Sequence, residues 1–182
     1  MTPSAETAKS SPGATSLATD YLTDVKARFE SIRTQAERAA AQVDDAAFLS
    51  PLGEEENSIA LIMKHMSGNL RSRFTNFLTS DGEKPDRNRD GEFEQAKADS
   101  RETILARWSD GWRILFDALD GLTPDDLTRT VTIRGEPHTV IQALSRQLVH
   151  HAQHAGQIVL LAKHAAGANW RTLSIPRTKK RD

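Results

Sequence analysis

The chain has 182 residues, 37% of them hydrophobic, and its 24 Lys and Arg nearly balance 25 Asp and Glu, for a formal charge of −1. That size suits one domain with a sizeable core, and the balance gives no general attraction to nucleic acid or an anionic membrane surface; no apolar run is long enough to span a bilayer. The absence of cysteine excludes a disulfide framework, a zinc ribbon and a protein thiol nucleophile, so any sulfur chemistry takes its thiol from another molecule.

Residues 1–16 are rich in Ser, Thr, Ala and Pro and lack the basic start and apolar stretch of a secretory signal, so they read as a disordered leader of a cytoplasmic protein. From about Leu17 to Val43, Tyr21, Leu22, Val25, Phe29 and Ile32 recur at steps of three and four, the period of an amphipathic helix. Residues 44–56 hold a Ser-Pro-Leu-Gly turn. Asn57 or Ser58 then caps a second helix to about Leu78, with Ile59, Ile62, Met63, Met66, Leu70, Phe74 and Phe77 on its buried stripe. After a polar loop, a third helix is expected from about Glu94 to Leu119, where Ile104, Leu105, Trp108, Trp112, Leu115, Phe116 and Leu119 read as core rather than as a ligand box. Thr123 to Asp126 reads as a turn, and Arg129 to Glu136 as a small hairpin or an extended crossover around Gly135. A last helix is expected from Pro137 or His138 to Ala166. Four amphipathic helices predict an all-α four-helix bundle over residues 17–168, followed by a basic tail over 169–182, and bundles build metal sites from facing helices.

The last helix carries His150-His151-Ala152-Gln153-His154. At 100° per residue its apolar face runs through Val140, Leu144, His151, Ala155 and Ile158, so His151 points at the core, with His154 and His150 progressively to one side. Periodicity allows His151 with His154 or His150 with His154. The second pair is preferred, because side chains at i and i+4 stack along the axis and a site between helices needs ligands at the edge of the apolar stripe. With His65 from the second helix, His150 and His154 make a tri-histidine set that suits a first-row divalent metal and leaves coordination positions open. Gly156 removes a side chain beside this site and would let another backbone come close. Asn69, one turn after His65, and Gln157 are candidates to orient a ligand or a bound water. His151 reads as outer support or helix packing, and His138 and His164 as solvent-facing residues near the ends of the last helix.

The stretches Lys64-His-Met-Ser-Gly-Asn-Leu70 and His150-His-Ala-Gln-His-Ala-Gly-Gln-Ile158 resemble the DinB-like metal-binding bundle superfamily, and a bacterial subgroup of unknown function within it. The resemblance runs from Leu17 to Ala166. The subgroup also has a loop similar to Thr79 to Pro85 and a run similar to Gly156 to Lys163. By motif position it implies His65, His150 and His154 as metal ligands, zinc or nickel as the metal, an up-down-down-up bundle and a homodimer. It also implies, by analogy alone, a metal-dependent transferase that uses a low-molecular-weight thiol.

Residues 81–90 are dense in charge and could close over the site, offering Arg87 or Arg89 to an anionic substrate, although a solvated loop with local ion pairs is the simpler expectation. Arg171, Arg177, Lys179, Lys180 and Arg181 form a basic tail without interleaved aromatics, so no nucleic-acid partner is expected. No acidic residue follows the first histidine of the His150 and His154 pair, as it does in HExxH proteases, which disfavours peptide hydrolysis. Three functions remain: a metal enzyme acting with a bound water or thiol, a non-catalytic metal-stabilised binding or stress-response module, and a plain structural bundle.

Overall fold

The computed structural model describes residues 16–53 and 55–175. The expected leader up to residue 15 and the basic residues from Arg177 onward lie outside the described residues. The described chain is mostly helical: α1 (Leu17–Ala40), a short α2 (Asp45–Leu49), α3 (Ile59–Phe74), α4 (Arg101–Asp120) and α5 (Val140–Ala166), with one hairpin, β1 (Thr130–Ile133) and β2 (Glu136–Thr139).

Each long helix starts at a hydroxyl cap. Ser16, Ser58, Ser100 and Thr139 accept the backbone N–H three residues on, satisfying a donor that has no partner within the helix. Thr103 and Gln142 return the bond to the caps of α4 and α5, which completes two capping boxes. The cap at Ser100 explains why α4 begins at Arg101 rather than near Glu94. The segment before it is tied down in another shape, since the Lys64 ammonium donates to the Glu94 carbonyl at 2.8 Å and to the Asp99 carboxylate at 2.7 Å. α3 ends at Phe74 rather than Leu78 because Asn76 turns left-handed, at φ 51°, a conformation Asn tolerates better than most residues.

The crossover expectation gives way to the hairpin. Arg134 and Gly135 both have positive φ, 55° and 76°, as the two central residues of a two-residue turn with the twist of its strands require. The Asp81 carboxylate accepts both of their N–H groups, at 2.9 and 2.8 Å, and Gly82 donates to the Thr132 carbonyl at 2.8 Å. The hairpin therefore fastens the start of the 79–100 connection. His138 lies on β2, half-buried, instead of on the last helix.

The most extensive helix contacts are α3 with α4 and α1 with α5, with a lesser contact of α3 with α5. α3 and α4 approach closely where Gly111 meets Ser67: a Cβ at Gly111 would lie 3.1 Å from the Ser67 Cα. Phe29 sits in the core, edge-on to Phe74, Trp112 and His151. Trp108 and Trp112 are buried as expected, and each such side chain contributes about 1.5–3 kcal/mol or more through burial. Leu105, expected on the same stripe, is exposed. After α5, Trp170 and Leu173 pack on the core, and Gln42, just after α1, holds the backbone of Arg171 through both its N–H and its carbonyl. Among the described residues no helix is long and apolar enough to cross a membrane.

Candidate metal centre

α3 and α5 bring His65, His150 and His154 together, with one ligand atom from each lying within 4.8 Å of the others. The three Nε2 atoms converge. His150 Nε2 stands 3.3 Å from His65 Nε2 and 3.2 Å from His154 Nε2. Two nitrogens bound at 2.0–2.1 Å to one tetrahedral ion would be separated by about 3.3 Å, so these two spacings are ones that a bound ion could have.

The proton inventory points the same way. His65 Nδ1 lies 2.9 Å from the Glu92 carboxylate, which can only accept, so the proton is on Nδ1 and the lone pair on Nε2. His154 Nδ1 lies 2.7 Å from the Gln157 side-chain oxygen, which fixes the same tautomer. Two lone pairs thus face His150 Nε2, and His150 Nδ1 is buried without a partner among the described residues. A cation between the rings would satisfy all three nitrogens at once; a single shared proton cannot. Burial, and then the neighbouring His151, His154 and His65, push His150 down to about 3, and burial lowers His154 against the opposing bond to Gln157. Both rings are therefore neutral near pH 7, the form a metal requires.

Glu92 was not singled out from the sequence, and it is the main support of the centre. One oxygen accepts from His65 Nδ1 and from Arg87 Nη2 at 2.7 Å, and the other accepts from Arg87 Nε at 2.8 Å. Burial pushes its carboxyl up, but the bonds from His65 and Arg87 outweigh that and hold it below its ordinary value, as a carboxylate. With both oxygens occupied it orients the ring instead of acting as a base. Gly68 makes room for it, since a Cβ there would fall 2.1 Å from Glu92 Oε1. Phe93 packs against the His65 ring, their centroids 4.5 Å apart and the planes tilted by 30°.

The expectation of a solvated charged loop holds for Pro85, Asp86 and residues 88–90, which are exposed, and is corrected for residues 81–84 and Arg87. These fold back on α3: Ser72 bonds Gly82 and Lys84, Arg73 and Arg87 both reach Glu83, and the Arg87 side chain is 4% exposed. A bidentate ion pair to Glu92 and the bond onward to His65 make the loop one wall of the centre. Together these groups enclose a cavity of about 260 Å³ that includes Asn69, Phe93 and Gln147 and five arginines, Arg73, Arg87, Arg89, Arg134 and Arg146. A larger open groove of about 1070 Å³ runs past the end of α3 toward α4 and meets this region only through Gly68, Arg87 and Glu92; none of the histidines lines it.

The remaining expectations divide. His151 is fully buried, donates from Nδ1 to the Gln147 carbonyl at 2.8 Å and packs on Phe29 and Trp112, so it belongs to the core. Gln157 touches His154 as an orienting residue should. Asn69 is buried and lines the cavity. His164 is exposed. Gly156 is corrected: among the described residues nothing lies within 4 Å of where a Cβ would be, and no other backbone approaches it.

A family profile described as a protein of unknown function, DUF1572, matches residues 16–179. The chain belongs to the DUF1572 family. No curated protein matches it. In this DUF1572 chain the matched span contains the three histidines, Glu92 and the folded-back loop. Arg73 and Arg146 went unnoticed in the sequence although a signal existed: they stand eight residues after His65 and four before His150, on the same helix faces as those histidines. Glu92 carried no such signal, because its contact with His65 crosses an aperiodic loop.

Proposed function

We propose that this chain is a divalent-metal protein of the DinB-like kind, its four long helices forming an up-down-down-up bundle, with His65, His150 and His154 as ligands to zinc or nickel. The observation that carries the reading is the convergence of three Nε2 atoms, two of them held as lone pairs by Glu92 and Gln157. When bound, such an ion supplies a Lewis acid that lowers the pKa of a water or thiol in an open coordination position. The residues around the site support its use as an enzyme. Glu92 and Gln157 hold the rings in place, Phe93 and Arg87 limit water on the His65 side, and Asn69 offers a buried side-chain oxygen that has no partner among the described residues. Since the chain has no cysteine, a transferase of this type would draw its sulfur from a low-molecular-weight thiol.

A second reading, a non-catalytic module stabilised by metal, is favoured by one observation. The histidines join α3 to α5, helices that otherwise touch less than the α3 with α4 and α1 with α5 pairs, so an ion there would act as a staple. Both readings include a homodimer, supported by Val149 and Leu160, which are exposed on one side of α5 three turns apart.

Cobalt(II) reconstitution followed by addition of a small thiol tests the choice. A thiolate charge-transfer band, in a chain that stays folded after chelation, is the result the enzyme expects. Loss of the folded state on chelation, with no spectral response to thiol, would favour the module.

A further inference from the structure

Two ladders of side chains face the cavity, and each continues beyond the histidines. On α3 the order is His65, Asn69, Arg73, and on α5 it is Arg146, His150, His154, each step being four residues and so one turn along one side. At 1.5 Å per residue, Arg73 lies about 12 Å beyond His65 and Arg146 about 6 Å before His150 along their helix axes. Metal binding makes no use of either arginine.

Arg73 is 4% exposed, and only Nη2 has a partner, Glu83 at a long 3.4 Å; Nε and Nη1 have none among the described residues. Burying guanidinium N–H groups without acceptors is costly, and native structures rarely leave them so unless something else binds there. Glu83 cannot supply the missing bonds, because it already serves Arg87 and Arg134. Arg146 has no carboxylate partner among the described residues. Burial first, and then repulsion from Arg87, Arg134 and Arg146, bring Arg73 down to about 10, which shows how close the cations lie. Among the described residues Glu83, Glu92 and Asp90 are the carboxylates that pair with side chains of these five arginines, so the cavity has a surplus of positive charge before any metal is counted. Its volume, about 260 Å³, equals roughly nine waters at about 30 Å³ each, room for a small metabolite.

We propose that the arginine end of this cavity binds the oxyanion, a carboxylate or a phosphoryl group, of a small acidic substrate, with Arg73 and Arg146 as its forks and the reacting end at the histidines. This deepens the function proposed above and rests on it only at the histidine end. Guanidinium forks match both oxyanions in geometry, and Asn69 and Gln147, each with a buried side-chain oxygen lacking a partner among the described residues, would accept donors from the middle of the ligand.

The test is calorimetric titration of the zinc-loaded full chain with mercaptosuccinate and with uncharged 1-thioglycerol. The acid is expected to bind at least about tenfold tighter, the yield of one charge-assisted hydrogen bond. Arg146→Gln, at an exposed position, should fold normally, keep its zinc and lose most of that preference; Arg73→Gln should do the same if it folds. Equal affinities for the two thiols, or an acid preference unchanged in a folded Arg146→Gln, would overturn the proposal. Competition by succinate against inorganic phosphate assigns the oxyanion to whichever displaces mercaptosuccinate at lower concentration. Titrating succinate and phosphate into the metal-free chain separates this inference from the metal reading: binding there that Arg146→Gln abolishes supports the acid site even in a chain that takes up no zinc.

Discussion

Glu92 serves two donors with one carboxylate, the His65 ring through Nδ1 and Arg87 through two nitrogens. Removing that charge while keeping the shape should loosen the ring and lower the basicity of its Nε2. Glu92→Gln is therefore expected to weaken zinc binding by about 10- to 100-fold in competition with a chromophoric chelator, the usual effect of losing an outer-shell partner. Gly68→Ala should weaken zinc in the same direction without touching any ligand, because its methyl would displace Glu92 Oε1. An unchanged affinity in both variants would mean that Glu92 does not orient His65. At this scale the sequence was informative about which histidines come together and silent about what supports them. The His150 and His154 pair is visible because four residues make one helical turn, whereas the bond from Glu92 depends on how an aperiodic loop folds over α3.

Helices and their ends were legible to different degrees. Hydrophobic spacing located all four long helices, and the hydroxyl caps at Ser58 and Thr139 sit where the pattern begins. The ends that moved did so through tertiary contacts or a local backbone state: Lys64 holds residues 94–99 out of α4, and left-handed Asn76 stops α3. The two helix glycines nearest to comment show how spacing alone misleads. Gly156 follows the motif histidines and faces open space, while Gly111, unremarkable in the sequence, sits at a close approach of α3 and α4. Gly156→Ala is expected to raise stability by about 1 kcal/mol through helix propensity, and Gly111→Ala to lower it by about 1–3 kcal/mol through overpacking. Urea denaturation of the two variants beside the parent checks both signs, and a stabilising Gly111→Ala would contradict the packing of α3 on α4.

Over the whole molecule, several ionisable groups depart from their ordinary values in one thermodynamic direction. Burial holds His151 at about 4 and, with its neighbours, His150 at about 3, both below 6.5. The Thr123 backbone and hydroxyl, with Arg129, hold Asp126 down at about 2, and Glu92 is also lowered. In each case the unfolded chain binds the proton more readily. The histidine contribution to stability is fully present above pH 6.5 and is lost as pH falls toward 4 and then 3, and the carboxylate contribution is lost below about 4.5. The urea midpoint of the metal-free chain is thus expected to fall steadily from pH 7 to pH 3; a midpoint that holds level between pH 6.5 and pH 4 would contradict buried neutral imidazoles. The central claim is the proposal that His65, His150 and His154 hold a metal ion. Elemental analysis of protein purified without an affinity tag, beside His65→Ala, His150→Ala, His154→Ala and His151→Ala, tests it most directly. The account expects about one zinc or nickel per chain, lost in the first three variants and kept in His151→Ala, whose ring belongs to the core. No metal after reconstitution, or equal loss in a folded His151→Ala, would contradict it.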